Sequence, residues 1–269
     1  MKIITLLITL LFLQGISLMA IQAEELLDSN EPITIDSDQM EWDREKNIYT
    51  ASGNAVAQQG DLNIKGNTIT ALYEKFEGSN KIDRINITGN VNIINEGYEA
   101  FGDYGTYTVQ EGILTLKGKN LKIESGADTL TAKDSLEYYK EKNLFVARGN
   151  AVAIREGNII ESDILSAYLK KTDDGKQNKI EKVFASNNVI IKTPTETATG
   201  NKGSYETKTG LVNIYGSVVI TRGADKVYGE YGQVNLNTGR SKILGSSKKG
   251  GNGKKRVRAI FTLEKDKED

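Results

Sequence analysis

Histidine and cysteine are both absent from the 269 residues. Their absence removes the commonest general base, the thiol nucleophile, the favoured zinc ligands and any disulfide framework. Most enzyme classes are thereby disfavoured. No cofactor or metal is implied, since the calcium-loop pattern, the P-loop, the G-x-S-x-G elbow and the G-x-G-x-x-G fingerprint are all missing. Only two prolines occur, Pro32 and Pro194, both beside strand-like segments where a ladder tolerates a lost N–H donor. Net charge is −1, so no bulk electrostatic pull draws the chain to nucleic acid. After residue 23 no apolar run approaches the ~18 residues of a membrane span.

What is present begins with Met1-Lys2, an apolar run from Ile3 to Leu13, and Ile21-Gln22-Ala23. A basic start, a short apolar core and a small residue are the layout of a signal peptide, with cleavage expected after Ala23 and export to the periplasm. The sequence then repeats. Asp38-Gln39-Met40-Glu41-Trp42 through Gly53-Asn54-Ala55-Val56 returns as Asp134-Ser135-Leu136-Glu137-Tyr138 through Gly149-Asn150-Ala151-Val152, an offset of 149 − 53 = 96 residues. A finer unit recurs at Gly53, Gly89, Gly118, Gly149, Asn187, Gly216 and Gly245, read as turn residues between alternating runs. Two tandem blocks of three units account for nearly all of the mature chain.

Within each unit the apolar period is two, as in Ile85-Asn86-Ile87-Thr88-Gly89-Asn90-Val91-Asn92-Ile93. No stretch carries helical spacing. Many short strands with one apolar face must close that face against another layer, so an elongated all-β sandwich, jelly roll or solenoid is expected.

Pro32-Ile33-Thr34-Ile35-Asp36-Ser37-Asp38-Gln39, the repeated Gly-Asn-Ala-Val, Gly60-Asp61-Leu62-Asn63-Ile64-Lys65-Gly66-Asn67-Thr68-Ile69-Thr70 and the terminal Arg256-Val257-Arg258-Ala259-Ile260-Phe261 together resemble the LptA/OstA family of lipopolysaccharide transport proteins. The likeness runs from about Glu31 to Leu263. It implies a twisted, V-shaped antiparallel β-jelly roll with an apolar groove, lipopolysaccharide as cargo, head-to-tail self-association, and homologous jelly-roll domains of the inner- and outer-membrane transport components as partners. On that basis residues 1–23 are a signal peptide, 24–247 the jelly roll, and 248–269 a basic Gly/Lys-rich linker with a final strand and charged tail.

Ile33 and Ile35 match the family's lipid-contacting first strand. Strand parity adds Tyr49, Ala51, Ala55, Leu62, Ile64, Ile85, Ile87, Val91 and Ile93 from the first block, and Phe145, Ala147, Val189 and Ile191 from the second. Alternating apolar positions also simply pack as core. The edges around Ile33–Ile35 and Arg256–Leu263 offer unpaired backbone for head-to-tail joining. Lys248, Lys249, Lys254, Lys255, Arg256 and Arg258 concentrate positive charge, either for lipid phosphates or as a solvated linker. Alternatives are a membrane-anchored LptC-like component of the same pathway and a cargo-free β-scaffold, with a glycan-cleaving enzyme the least favoured.

Overall fold

The computed structural model describes residues 33–60, 62–76, 79–95, 98–155, 157–171, 178–235, 237–238, 240–245 and 256–262. The expected signal peptide, the lysines at 248–255 and the acidic tail therefore lie outside the described residues. The first block contributes β1 (Thr34–Asp36), β2 (Gln39–Asp43), β3 (Ile48–Gln59), β4 (Leu62–Phe76), β5 (Ser79–Asn95), β6 (Tyr98–Thr108), β7 (Ile113–Lys117), β8 (Leu121–Ser125) and β9 (Asp128–Ala132). The second contributes β10 (Ser135–Tyr139), β11 (Leu144–Arg155), β12 (Asn158–Lys171), β13 (Asn178–Lys192), β14 (Thr197–Glu206), β15 (Leu211–Arg222), β16 (Asp225–Asn235) and β17 (Arg240–Leu244), followed by β18 (Arg258–Ile260). A single 3₁₀ turn, Lys140–Lys142, is the only helical element among the described residues. Every pairing is antiparallel.

The long strands are bent, and the bend makes the architecture. The β3–β4 ladder runs to Ser52↔Thr68 and resumes at Ala55↔Gly66, leaving Gly53-Asn54 opposite the single residue Asn67. Gly53 and Asn54 take φ of 79° and 46°, a left-handed pair that glycine and asparagine reach at least cost. The same break recurs at Gly89-Asn90, Gly149-Asn150, Asn187-Asn188 and Gly216-Ser217, all with positive φ. These are two-against-one bulges, which re-aim a strand without reversing it. Gly53, Gly89, Gly149, Asn187 and Gly216, expected as turns, are thus mid-strand vertices, whereas Gly118 lies between β7 and β8 and Gly245 follows β17.

Each long strand consequently serves two layers. In the first layer β2 meets Ile48–Ser52 of β3, and the meander continues through β7 and β10 to β17. In the second, β1 meets Val56–Gln58 of β3, and pairing continues through β8 and β9 to β18. The blocks join where β10 pairs β7 and β11 pairs β9, so neither is a separate body.

Period-two hydrophobicity sends one face of each layer inward. Along the second layer Ile35, Ala57, Ile64, Ile93, Ala100, Ile123, Leu130, Ala153, Ile160, Ile191, Ala198, Ile220, Val227 and Ala259 stand directly opposite one another, rung by rung. Near the vertices the layers touch. A Cβ on Gly66 would meet Ile87 Cγ2 at 2.5 Å, one on Gly200 would meet Ile214 Cγ1 at 2.6 Å, and one on Gly229 would meet Ile243 Cγ2 at 2.4 Å. Large side chains of the first layer therefore seat over glycines of the second and pin the V closed at its apex. Ile87, Val91, Val189 and Val218 are fully buried there, and each such side chain contributes roughly 1.5–3 kcal/mol.

An acidic or amide side chain from the neighbouring strand caps each vertex. Asn54 donates to Asp38 at 3.3 Å, Asn90 to Asn67 at 3.3 Å, and Asn188 to Asp163 at 3.1 Å. At Gly149 (φ 84°) an added Cβ would lie 2.4 Å from Asp134 Cγ and 2.8 Å from its backbone N. Gly149→Val is expected to destabilise the protein by about 2–3 kcal/mol, because the left-handed backbone and the backbone clash both oppose a branched side chain. A urea midpoint equal to wild type would refute this role for the vertex.

On the outer face at the block junction, Glu137 accepts from Ser135 at 2.6 Å, Tyr139 at 2.7 Å and Arg148 at 3.0 Å. Burial works to raise the Glu137 carboxyl, and these donors override it, holding the group below the ordinary carboxylate range.

Candidate functional site

Away from the apex the two inner faces diverge, and in the second block the space between them is hollow. A cleft open to solvent is lined by Ile123, Leu130, Ala153, Ile160 and Ile191 of the second layer and by Phe145, Ala167, Val183 and Val212 of the first. A smaller continuation shares Ile191 and Val212 and extends to Ile214, Ile220, Val234 and Ile243. The two form one trough along β11 to β17. Its exposed walls are almost wholly hydrocarbon, so it suits apolar chains. Tyr205 borders it, and burial pushes its phenol above the usual value, which keeps the group neutral.

Charged side chains reach the trough at three places: the Asp128–Arg155 pair, Glu196 with its partner Arg222, and Lys242 of β17. Arg155, at the end of β11, and Asp128, at the start of β9, both line the larger cleft with Nε and Oδ2 3.7 Å apart; their side chains are 13% and 16% exposed. Glu196 lines the continuation and is buried, with Arg222 Nη2 2.5 Å from its Oε1. That approach is too bent for a hydrogen bond, and Glu196 Oε2 and Arg222 Nε have no hydrogen-bond partner among the described residues.

The residues singled out from the sequence fall into three places. Phe145 and Ile191 line the trough. Ala51, Ala55, Leu62, Ile64, Ile87, Val91, Ile93, Ala147 and Val189 are buried in the interlayer core, with Ile85 half-buried against it. Ile33, Ile35 and Tyr49 are exposed, at 44%, 40% and 36%, at the β1/β2 end. There Ile35 begins the second-layer row, while Tyr49 stacks on Trp42 at 5.2 Å and on Tyr73 at 5.0 Å. Trp42 Nε1 donates to the Tyr73 hydroxyl at 2.6 Å. At the other end Leu244, Val257, Ile260 and Phe261 are exposed. β1 and β18 each have a ladder partner on one side only among the described residues.

Several trough residues were missed that the repeat itself points to. Adding the 96-residue offset to Ala57 and Ile64 gives Ala153 and Ile160, both in the wall. Nothing in the sequence marks Asp128, Arg155, Glu196 or Arg222, because their inward aim depends on where each strand ends beyond its vertex.

A two-layer antiparallel jelly roll of bent strands, apolar between its layers and with edge strands paired on one side only among the described residues, is the class of protein this arrangement defines. The chain matches the family described as LptA/(LptD N-terminal domain) LPS transport protein twice in tandem, over residues 34–134 and 133–240, and it belongs to that family. The two matches coincide with the two blocks. An uncharacterised protein of Rhizobium meliloti (strain 1021) is 27% identical over 105 residues, which are 37% of this chain and 56% of that protein. The chain thus spans little more than half the length of that relative. Among solved structures, LptH of Pseudomonas aeruginosa, an LptA-homologous periplasmic component of the lipopolysaccharide transport device, aligns over 88% of this chain and 99% of its own at 12% identity, with a TM-score of 0.23.

Proposed function

We propose that this protein is a periplasmic carrier of lipopolysaccharide, holding the acyl chains in the second-block trough. It passes them along the inner faces between homologous jelly-roll domains of the inner- and outer-membrane components. The observation that carries the reading is the trough itself, a hydrocarbon-walled, solvent-open space between the layers in a family of lipopolysaccharide transport proteins. Burial of apolar surface is worth about 25 cal/mol per Å², so several acyl tails supply ample affinity without chemistry. The apolar rows run to both end strands, where Ile35, Met40 and Trp42 at one side and Ala259 and Phe261 at the other are exposed. Head-to-tail joining of copies would bring those rows together.

The test is a photo-crosslinking amino acid placed singly at Phe145, Ile191 and Ile35 in living cells. Adducts with lipopolysaccharide are expected at all three, and none at Tyr104, which is exposed on the outer face. Adducts absent from Phe145 and Ile191 would sink the reading. The close packing of Ile87, Val91 and Ile93 in the first block favours a second reading, a filled β-scaffold without cargo. That alternative predicts no adduct anywhere.

A further inference from the structure

Two ion pairs facing a largely hydrocarbon trough need a reason. Arg155, Asp128 and Glu196 are largely withdrawn from water, while the Arg222 side chain, beside the continuation, keeps 38% of its surface exposed. Removing charges from water costs several kcal/mol per ion, and replacing a buried pair by apolar side chains is often neutral or stabilising. Packing alone therefore does not account for them. Both pairs lie on the inner face of the second layer, at the rim away from the vertices. Arg155 closes β11 opposite Asn158, and Arg222 closes β15 opposite Asp225. The corresponding rim positions of the first block, Gln59 opposite Leu62 and Ser125 opposite Asp128, carry no arginine. At these paired rim positions the arginines fall in the second block alone.

We infer that Arg155 and Arg222 form a head-group subsite for an amphiphile bearing two anionic phosphate-type groups, whose chains occupy the trough between them. The inference rests on the carrier reading and adds to it how the cargo's polar end is held. Four ladder steps separate β11 from β15 in the second layer, roughly 19 Å at the usual strand spacing. One anion cannot span that distance, so each arginine takes its own. A guanidinium presents a planar fork matched to phosphate oxygens, and it binds most strongly where water is excluded. Asp128 and Glu196 hold the two guanidinium groups inward in the empty trough. An incoming phosphate takes over part of each fork while the acid keeps the remainder.

The experiment uses the full mature chain and two probes, lipopolysaccharide and the same lipid with its phosphates removed. Wild type is expected to bind the phosphorylated lipid about tenfold or more tightly, the scale of a charge-assisted hydrogen bond. Equal affinity for the two lipids overturns the inference, and this comparison needs no variant to fold. Arg155→Gln with Arg222→Gln is expected to erase that preference and leave binding of the dephosphorylated lipid unchanged, whereas Arg155→Lys with Arg222→Lys retains most of it. Lys122→Gln, on the outer face, serves as the charge control. An equal loss for both lipids in the glutamine variant would mark the arginines as merely structural and overturn the subsite. Displacement of the phosphorylated lipid's advantage by millimolar inorganic phosphate alone would assign the site to free anions instead, and overturn the amphiphile. Binding of neither lipid by wild type overturns the carrier reading, and this inference falls with it.

Discussion

Ala167→Trp is expected to weaken lipopolysaccharide binding about a hundredfold while leaving the fold intact. Ala167 stands in the first-layer wall of the trough, opposite Phe145 on one side and Val183 on the other. An indole there projects into open space and displaces cargo. Excluding about four methylenes at ~0.8 kcal/mol each forfeits about 3 kcal/mol of binding. The stability cost is expected to stay under about 1 kcal/mol, because overpacking penalties of 1–3 kcal/mol apply to filled cores and this site is hollow. Ala153→Trp, from the facing layer, should act in the same way. Kd from displacement of a fluorescent lipid probe, read beside a urea melt, checks both halves of the claim. Affinity within threefold of wild type would mean that the trough is not where the chains sit.

The second large effect concerns folding. Tyr138 is 1% exposed and lies in β10, the strand that binds the blocks together through Leu114 of β7 and Phe145 of β11. Tyr138→Ala removes an aromatic ring from a packed position, for which losses of about 3–5 kcal/mol are usual. Repeat proteins hold together through nearest-neighbour interfaces, so damage at a junction weakens the coupling of the parts on either side as well as the site itself. The unfolding midpoint is expected to fall by the corresponding amount, with a broader transition than Ile87→Ala produces inside the first block. A midpoint shift below about 1 kcal/mol would show that the junction is carried by backbone pairing alone.

Much of this was legible before any coordinates. Strict alternation at Ile85, Ile87, Val91 and Ile93 told which side of each strand is apolar, and the ladder places all four on the inner face. The 96-residue repeat announced two blocks, and the family model matches twice over them. The Gly-Asn pairs were found as punctuation and misjudged as chain reversals. Locally nothing distinguishes the two, since both need positive φ. What decides is the partner strand, where a single Asn67 or Asp163 stands opposite two residues and keeps the chain going forward.

The hollow was less accessible than the face. Ile64 and Ile160 occupy equivalent repeat positions, yet one is buried in core and the other borders open space. The difference arises from how far apart the layers stand at that rung. That spacing depends on which glycine of one layer meets which isoleucine of the other, as at Gly66 and Ile87, across residues distant in the chain. Arginines such as Arg155 and Arg222 likewise read as ordinary surface charge until strand ends are known.

The vertices also act as a ruler. Each long strand folded at a glycine–asparagine pair lays one rung in either sheet, and its neighbour lays the next, so one vertex adds two rungs, about 10 Å of conduit at the usual strand spacing. Gaps between successive repeat positions vary from 29 to 38 residues in this chain, and that variation falls in strand length and connecting loops, outside the count of rungs. Counting such pairs in any related chain therefore estimates the reach of its conduit directly, and grafting in one more unit should lengthen the passage while its cross-section stays the same.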